Sequence, residues 1–163
     1  MSNTTNEGPD PQGTQTSAVL RNLIAAGLAK RLPQAVAADA DKTTMLRALE
    51  ASLGPAAVVD LGLDLRAWPD NPVFAAVTAA SSAVGVLQRW FRLERFGHTR
   101  NRTRLLDHDG HCMTICHVAI DGGSISAVND LFVWGIILAV LERAGFRDIE
   151  ASLIAPDGVR TPL

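Results

Sequence analysis

The densest run of apolar side chains is SAVNDLFVWGIILAVLERAG, from Ser126 to Gly145. Val128, Leu131, Phe132 and Gly135 recur at helical spacing along one face, and Val133, Trp134, Ile137, Val140 and Leu141 cover most of the rest. A helix that is apolar on all sides leaves water only by being enclosed. The stretch therefore predicts a long buried helix, capped by Ser126 and closed by Gly145. Its uncharged segment, Leu131–Leu141, is well short of the roughly 20 apolar residues needed to cross a bilayer.

Upstream, the same period recurs in shorter pieces. A helix opening at Ser17 and running to Ala29 turns Val19, Leu20, Leu23, Ile24 and Leu28 inward, and a short turn follows over Leu32–Ala38. TMLRALEASL predicts a second helix, capped by Thr43 or Thr44 and stopped at Gly54. Pro55, suited to a first helical turn, opens a third over Pro55–Leu65. WPDNP (Trp68–Pro72) is a loop, and Val73–Ala80 is a short helical segment interrupted at Ser81 and Ser82. Ser82 then caps a stronger helix, Ala83–Phe96, with Gly97 as its stop. Its apolar side carries Val84, Leu87, Trp90, Phe91 and Leu93, and its other side Arg89, Arg92 and Arg95.

The texture changes at Arg102. TRLLD and HCMTICHVA are rich in strand formers and are separated by Asp109-Gly110, a hairpin-turn signal. The loop AIDGGS leads into the long helix, and Glu150–Ala155 predicts one further strand, ended by Pro156-Asp157-Gly158. The layout is α+β: a helical N-terminal half, then an antiparallel hairpin and one further strand forming a small sheet around the long buried helix. Met1–Thr16 has no large apolar side chain beyond the initiator and is expected to be a disordered tail; residues 17–163 then form a single domain.

A net charge of −2 shows no basic excess of the kind nucleic-acid-binding domains carry. Two cysteines and no secretion signal predict a reducing, cytoplasmic setting. His111-Cys112 and Cys116-His117 invite a metal reading. On a strand, however, Cys112 and Cys116 stand about 13 Å apart, four residues at about 3.3 Å each. That is too far for one zinc ion or for a disulfide, so the two cysteines are expected to pack as small apolar residues, with no metal bound. Cys116 as a nucleophile would need His117, His111 or His98 to approach it, and strand neighbours such as Cys116 and His117 point to opposite faces. Arg89, Arg92, Arg95, Arg100, Arg102 and Arg104, interleaved with Trp90 and Phe91, form either an anion-holding wall or a solvated face. Asp60 and Asp64 are expected on a solvated face, and His108 in the exposed turn. There is no Walker loop, GxGxxG, GxSxG or HExxH. Trp90 and Trp134 either fill the core or line a cavity with His117 or His111 for a small, largely apolar ligand. The ligand-facing candidates are thus Trp90, Arg95, His98, Arg102, His111, His117 and Trp134. No catalytic residue, metal ligand or cofactor is assigned.

Four segments between Leu23 and Pro162 share an order with a known family. They are LIAAGL; TMLRALEASLGPAAVVDLGLDL, which ends in a Leu-Gly-Leu-x-Leu phrase; NPVFAAVTAASSAVGVLQRWFRL, where alanines precede an Arg-aromatic helix; and DLFVWGIILAVLERAGFRDIEASLIAPDGVRTPL, with its Gly-aromatic stop and closing strand. In these patterns of length and hydrophobicity the chain resembles the effector-binding N-terminal domain of one large group of bacterial AraC-type transcription regulators, in its α+β version. The resemblance implies a small-molecule-sensing regulatory domain without enzymatic activity, acting through a homodimer or a regulator partner. In that family helix-turn-helix units follow this domain. The chain stops at Leu163 before any of them, so direct nucleic-acid binding by this chain is not expected, nor is membrane association. The alternatives are a small standalone enzyme that reuses the fold, with Cys116 and a histidine as reactive groups, and a truncated regulator remnant.

Overall fold

A computed structural model describes residues 18–32, 40–68, 72–97, 101–109, 111–150, 152–154 and 160–162. The expected tail, most of the turn over Leu32–Ala38, His98, Arg100 and the Pro156-Asp157-Gly158 stop lie outside the described residues. The fold is α+β. Helices α1 (Ala18–Arg31), α2 (Lys42–Leu53), α3 (Pro55–Leu63), α4 (Pro72–Thr78) and α5 (Ala83–Gly97) precede strands β1 (Asn101–His108) and β2 (Met113–Ala119). Helix α6 (Ala127–Arg143) and the short strands β3 (Ser152–Ile154) and β4 (Arg160–Pro162) complete the order.

Helix α6 is the centre of the core. Val128, Leu131, Phe132, Val133, Ile136, Ile137, Ala139, Val140 and Leu141 are all buried, as an all-round apolar helix requires. They meet Ile24 and Leu28 of α1, Met45, Leu46 and Leu49 of α2, Val58 and Leu61 of α3, Phe74 and Val77 of α4, and Val86, Leu87 and Phe91 of α5. Gly145, at φ 95°, closes α6. Its N–H donates to the Glu142 carbonyl and that of Phe146 to the Leu141 carbonyl, the paired bonds of a Schellman stop. Ser126 holds the cap position, but its side chain makes no capping bond; its carbonyl instead accepts from the N–H groups of Asn129 and Asp130.

Helices α3 and α6 cross where Gly62 faces Gly135. A Cβ at Gly62 would lie 2.5 Å from the Phe132 carbonyl oxygen and 2.8 Å from the Ile136 nitrogen; one at Gly135 would collide with the Val59 carbonyl. The Leu-Gly-Leu phrase of the sequence is thus a backbone-to-backbone crossing. Helix α3 ends at Leu63 rather than Leu65, and the chain tightens into a 3-10 turn over Asp64–Ala67. Asp64, expected on a solvated face, instead receives the guanidinium of Arg31 through two bonds of 2.6 and 3.1 Å, which ties α1 to this turn.

The cap of α2 is Asp41, not Thr43 or Thr44. The Asp41 carboxylate accepts from the Thr44 N–H at 3.0 Å and from the Thr44 hydroxyl at 2.7 Å, so Thr44 is a third-position partner of the cap. These two bonds also hold the Asp41 carboxyl below the usual carboxylate range.

β1 and β2 form an antiparallel hairpin in which Thr103 faces His117 and Leu105 faces Ile115; one extra residue, Leu106, is then accommodated before Asp107 meets Thr114. The inner face carries Thr103, Leu105, Met113, Ile115 and His117, and the outer face Arg102, Arg104, Thr114, Cys116 and Val118. The Asp109 carboxylate accepts from the N–H groups of His111 and Cys112 and so shapes the turn. The further strand expected in this sheet does not join it. β3 pairs with β4 in a second two-stranded ladder, Ser152 opposite Pro162 and Ile154 opposite Arg160. A partner this near in sequence closes a short loop at little entropic cost, so β3 has no need to reach the distant hairpin. No helix among the described residues is long and apolar enough to cross a membrane.

Candidate polar cluster at the hairpin junction

The residues singled out from sequence do not converge on one pocket. Trp90 is half-buried in an aromatic stack, 6.1 Å from the Phe74 ring, which in turn lies 6.3 Å from Trp68 and beneath the Arg143 guanidinium at 4.7 Å. No ring contact joins Trp90 to Trp134 among the described residues. Arg95 is exposed on α5, and His111 is exposed in the hairpin turn. Arg102 lies on the outer face of β1 and donates to the Asn101 carbonyl. Arg89 and Arg92 line an open groove of about 410 Å³ with Ser81, Ser82 and Gln88, with Arg89 donating to the Ala76 carbonyl at 2.7 Å. Cys112 is exposed and Cys116 half-buried, both as free thiols, and Cys116 faces away from His117 across β2. Among the described residues, no three histidine, cysteine, aspartate or glutamate side chains group as a metal site.

His117, by contrast, belongs to a polar cluster where the hairpin meets the first turns of α2 and α6. His117 Nδ1 lies 2.7 Å from Asp130 Oδ1; the imidazole is 10% exposed and the carboxylate 37%. An ionised carboxylate only accepts, so Nδ1 is the donor of this bond. Across the hairpin, Glu94 is 5% exposed on the inner side of α5. Its two carboxylate oxygens accept from the Thr103 N–H at 3.0 Å and the Thr103 hydroxyl at 2.8 Å, which pins α5 to β1.

Lys42, the first residue of α2, completes the group. Burial pushes its ammonium below the ordinary lysine range, while the carboxylates of Glu94 and Asp130 act in the opposite sense. Four ionisable side chains from four elements therefore share one neighbourhood: Lys42, Glu94, His117 and Asp130.

Two buried side-chain atoms of α6 have no partner among the described residues. The Asn129 amide donates to the Thr43 hydroxyl at 3.1 Å, but its Oδ1 accepts nothing, and the indole Nε1 of Trp134 donates to nothing. Asn129 adjoins Asp130, and Trp134 stands one turn beyond it on the same face of α6. A buried polar atom without a partner is rare and costly, which sets Asn129 and Trp134 apart from the other buried polar side chains of the core.

Of these residues only His117 and Trp134 were legible as candidates. Glu94 does carry a signal, since it follows Leu87 and Phe91 at helical spacing and so places a charge on the inward face of α5. Asp130, with Asn129, interrupts the apolar surface of α6. Lys42 carries no such signal.

Two consequences are measurable. Glu94→Ala leaves the Thr103 N–H and hydroxyl without their charged acceptor and is expected to cost about 1.5–3 kcal/mol in denaturant unfolding, with Glu94→Gln intermediate. A cost below the error of the measurement would mean that the pin between α5 and β1 carries no stability. For Lys42, a folded-state pKa below the unfolded value means that the protonated form weakens the fold. That cost is complete below the folded pKa and disappears as pH rises towards the unfolded value near 10.5. Lys42→Met is thus expected to raise Tm at neutral pH, with the gain shrinking as pH approaches 10.5. An unchanged or lower Tm would show that Glu94 and Asp130 outweigh desolvation.

No protein-family model matches the chain, and neither does any curated protein or solved structure.

Proposed function

We propose that this chain is a small-molecule-sensing regulatory domain of the type its segment order resembles, acting through self-association or a regulator partner in a reducing cytoplasm. The observation that carries the reading is the pair of unpartnered buried atoms, Asn129 Oδ1 and Trp134 Nε1, on α6, the helix that also carries Asp130 of the His117–Asp130 pair. A half-buried lysine of weakened basicity and two unmade hydrogen bonds cost stability, and such costs concentrate where a protein binds something. The ligand presents an acceptor to the indole N–H and a donor to Asn129 Oδ1. Because the cluster joins α2, α5, β2 and α6, a molecule seated there favours one arrangement of the hairpin on the helices. Its differential affinity for the two arrangements sets the size of the response.

In the alternative Cys/His enzyme reading His117 is not the partner of Cys116, since the two stand on opposite faces of β2. Thermal-shift screening against small polar organic molecules tests the sensor reading. A ligand at about a hundred times its Kd adds about 2.7 kcal/mol, a shift of several degrees. The expected shift disappears in His117→Gln and Asp130→Asn variants. Shifts that persist in both variants would place binding elsewhere and defeat the reading.

A further inference from the structure

We propose that two copies of this chain associate through β2, the strands of the two copies pairing antiparallel to give one four-stranded sheet. Among the described residues, β2 pairs with β1 along one edge and has no backbone partner along the other. An open edge invites another strand unless it is protected by charge, proline, a bulge or a covering element. β1 has such protection: it carries Arg102, Arg104 and Asp107, holds the extra residue Leu106, and packs beside α5 through the Thr103–Glu94 bonds. β2 has none. Its seven residues, MTICHVA, include no proline, lysine, arginine, aspartate or glutamate.

The same composition selects the partner. In an antiparallel pair centred on Cys116, Thr114 stands opposite Val118, Ile115 opposite His117, and Met113 opposite Ala119 of the other copy. No like charges meet, and the β-branched pairs are of the kind that stabilises sheets. Two β1 edges brought together in the same way would set arginines near arginines. The register also carries Ile120, 55% exposed directly after β2, over the start of the opposing strand. β2 is already held straight by β1, by the packing of Met113 and Ile115 on the core and by the His117–Asp130 bond, so little ordering remains to be done on association.

This names the surface for the self-association in the regulatory reading and rests on that reading only for its purpose. Sedimentation velocity over a range of concentrations, with mild oxidation of a Cys112→Ser chain, tests it without any ligand. Cα atoms directly opposite in an antiparallel pair lie within disulfide range. The expected result is a dimer that becomes covalently linked through Cys116. Cys116→Lys and Thr114→Lys are each expected to weaken dimerisation about tenfold or more while leaving the circular dichroism spectrum unchanged, whereas Leu53→Lys, on the exposed side of α2, leaves the dimer intact. A monomer at all concentrations would overturn the proposal. So would a dimer that neither links at Cys116 nor responds to the lysine substitutions, as expected if another segment of the chain covers β2. A monomer that binds a ligand defeats this inference alone, whereas a β2-linked dimer with no ligand response defeats the sensing reading alone.

Discussion

Gly135→Leu is expected to unfold the protein under conditions in which the parent chain is folded. At this crossing a side chain at position 135 meets the Val59 carbonyl and the Gly62 Cα, and both are backbone. Rotamer changes relieve overpacking against side chains, but here α3 and α6 must separate, and the buried contacts of Val58, Leu61, Phe132 and Ile136 separate with them. Overpacking typically costs about 1–3 kcal/mol, and a backbone obstacle places this substitution at or above the top of that range. Gly135→Ala is the sharper test because two effects oppose each other. Alanine gains about 1 kcal/mol of helix propensity over glycine, yet its Cβ already collides with Val59, so a net loss is expected. Gly85→Ala, whose nearest neighbours are the Ser82 hydroxyl at 3.1 Å and the Ala80 methyl at 3.2 Å, is expected to change stability far less. Chemical denaturation of the three variants decides the matter, and a stabilised Gly135→Ala chain would contradict the close crossing.

Phe132→Ala is expected to cost about 3–5 kcal/mol, the range for emptying a large buried aromatic site. Phe132 is 0% exposed in the second turn of α6, enclosed by the core around it, so little can collapse into the space left behind. Trp134 lies only two residues away but is half-buried, with its indole nitrogen unpartnered. Trp134→Ala therefore opens a site that already reaches the surface, and it also removes an unsatisfied donor. Its stability loss is expected to be clearly smaller than that of Phe132→Ala, accompanied by loss of ligand response. Equal losses in the two variants would make Trp134 a core residue and remove it from the binding site.

The contrast between these two neighbours shows what the sequence discloses. An uninterrupted apolar helix has one stable environment, so the burial of α6 and its stop at Gly145 follow from the pattern of residues alone. Where several residues satisfy the same rule, the pattern is silent. Asp41, Thr43 and Thr44 are all good caps, and the choice of Asp41 depends on a carboxylate reaching both donors of Thr44. Arg-Thr-Pro at 160–162 has no strand signature, so β3 showed a strand without showing its partner. The cluster was hidden for a different reason. Lys42, Glu94, His117 and Asp130 are spread across 89 positions of the chain and gather only when α2, α5, the hairpin and α6 pack. Trp90 and Trp134 were joined on chemical similarity, but the Phe74 stack draws Trp90 into another neighbourhood.

Native mass spectrometry of the chain purified gently from cells tests the central claim most directly. The sensing account predicts that part of the population carries a small organic molecule, and that His117→Gln and Trp134→Ala chains of the same preparation are free of it. A bound molecule retained equally by parent and variants would contradict the account, because the open hydrogen bonds at Asn129 and Trp134 would then play no part in holding it.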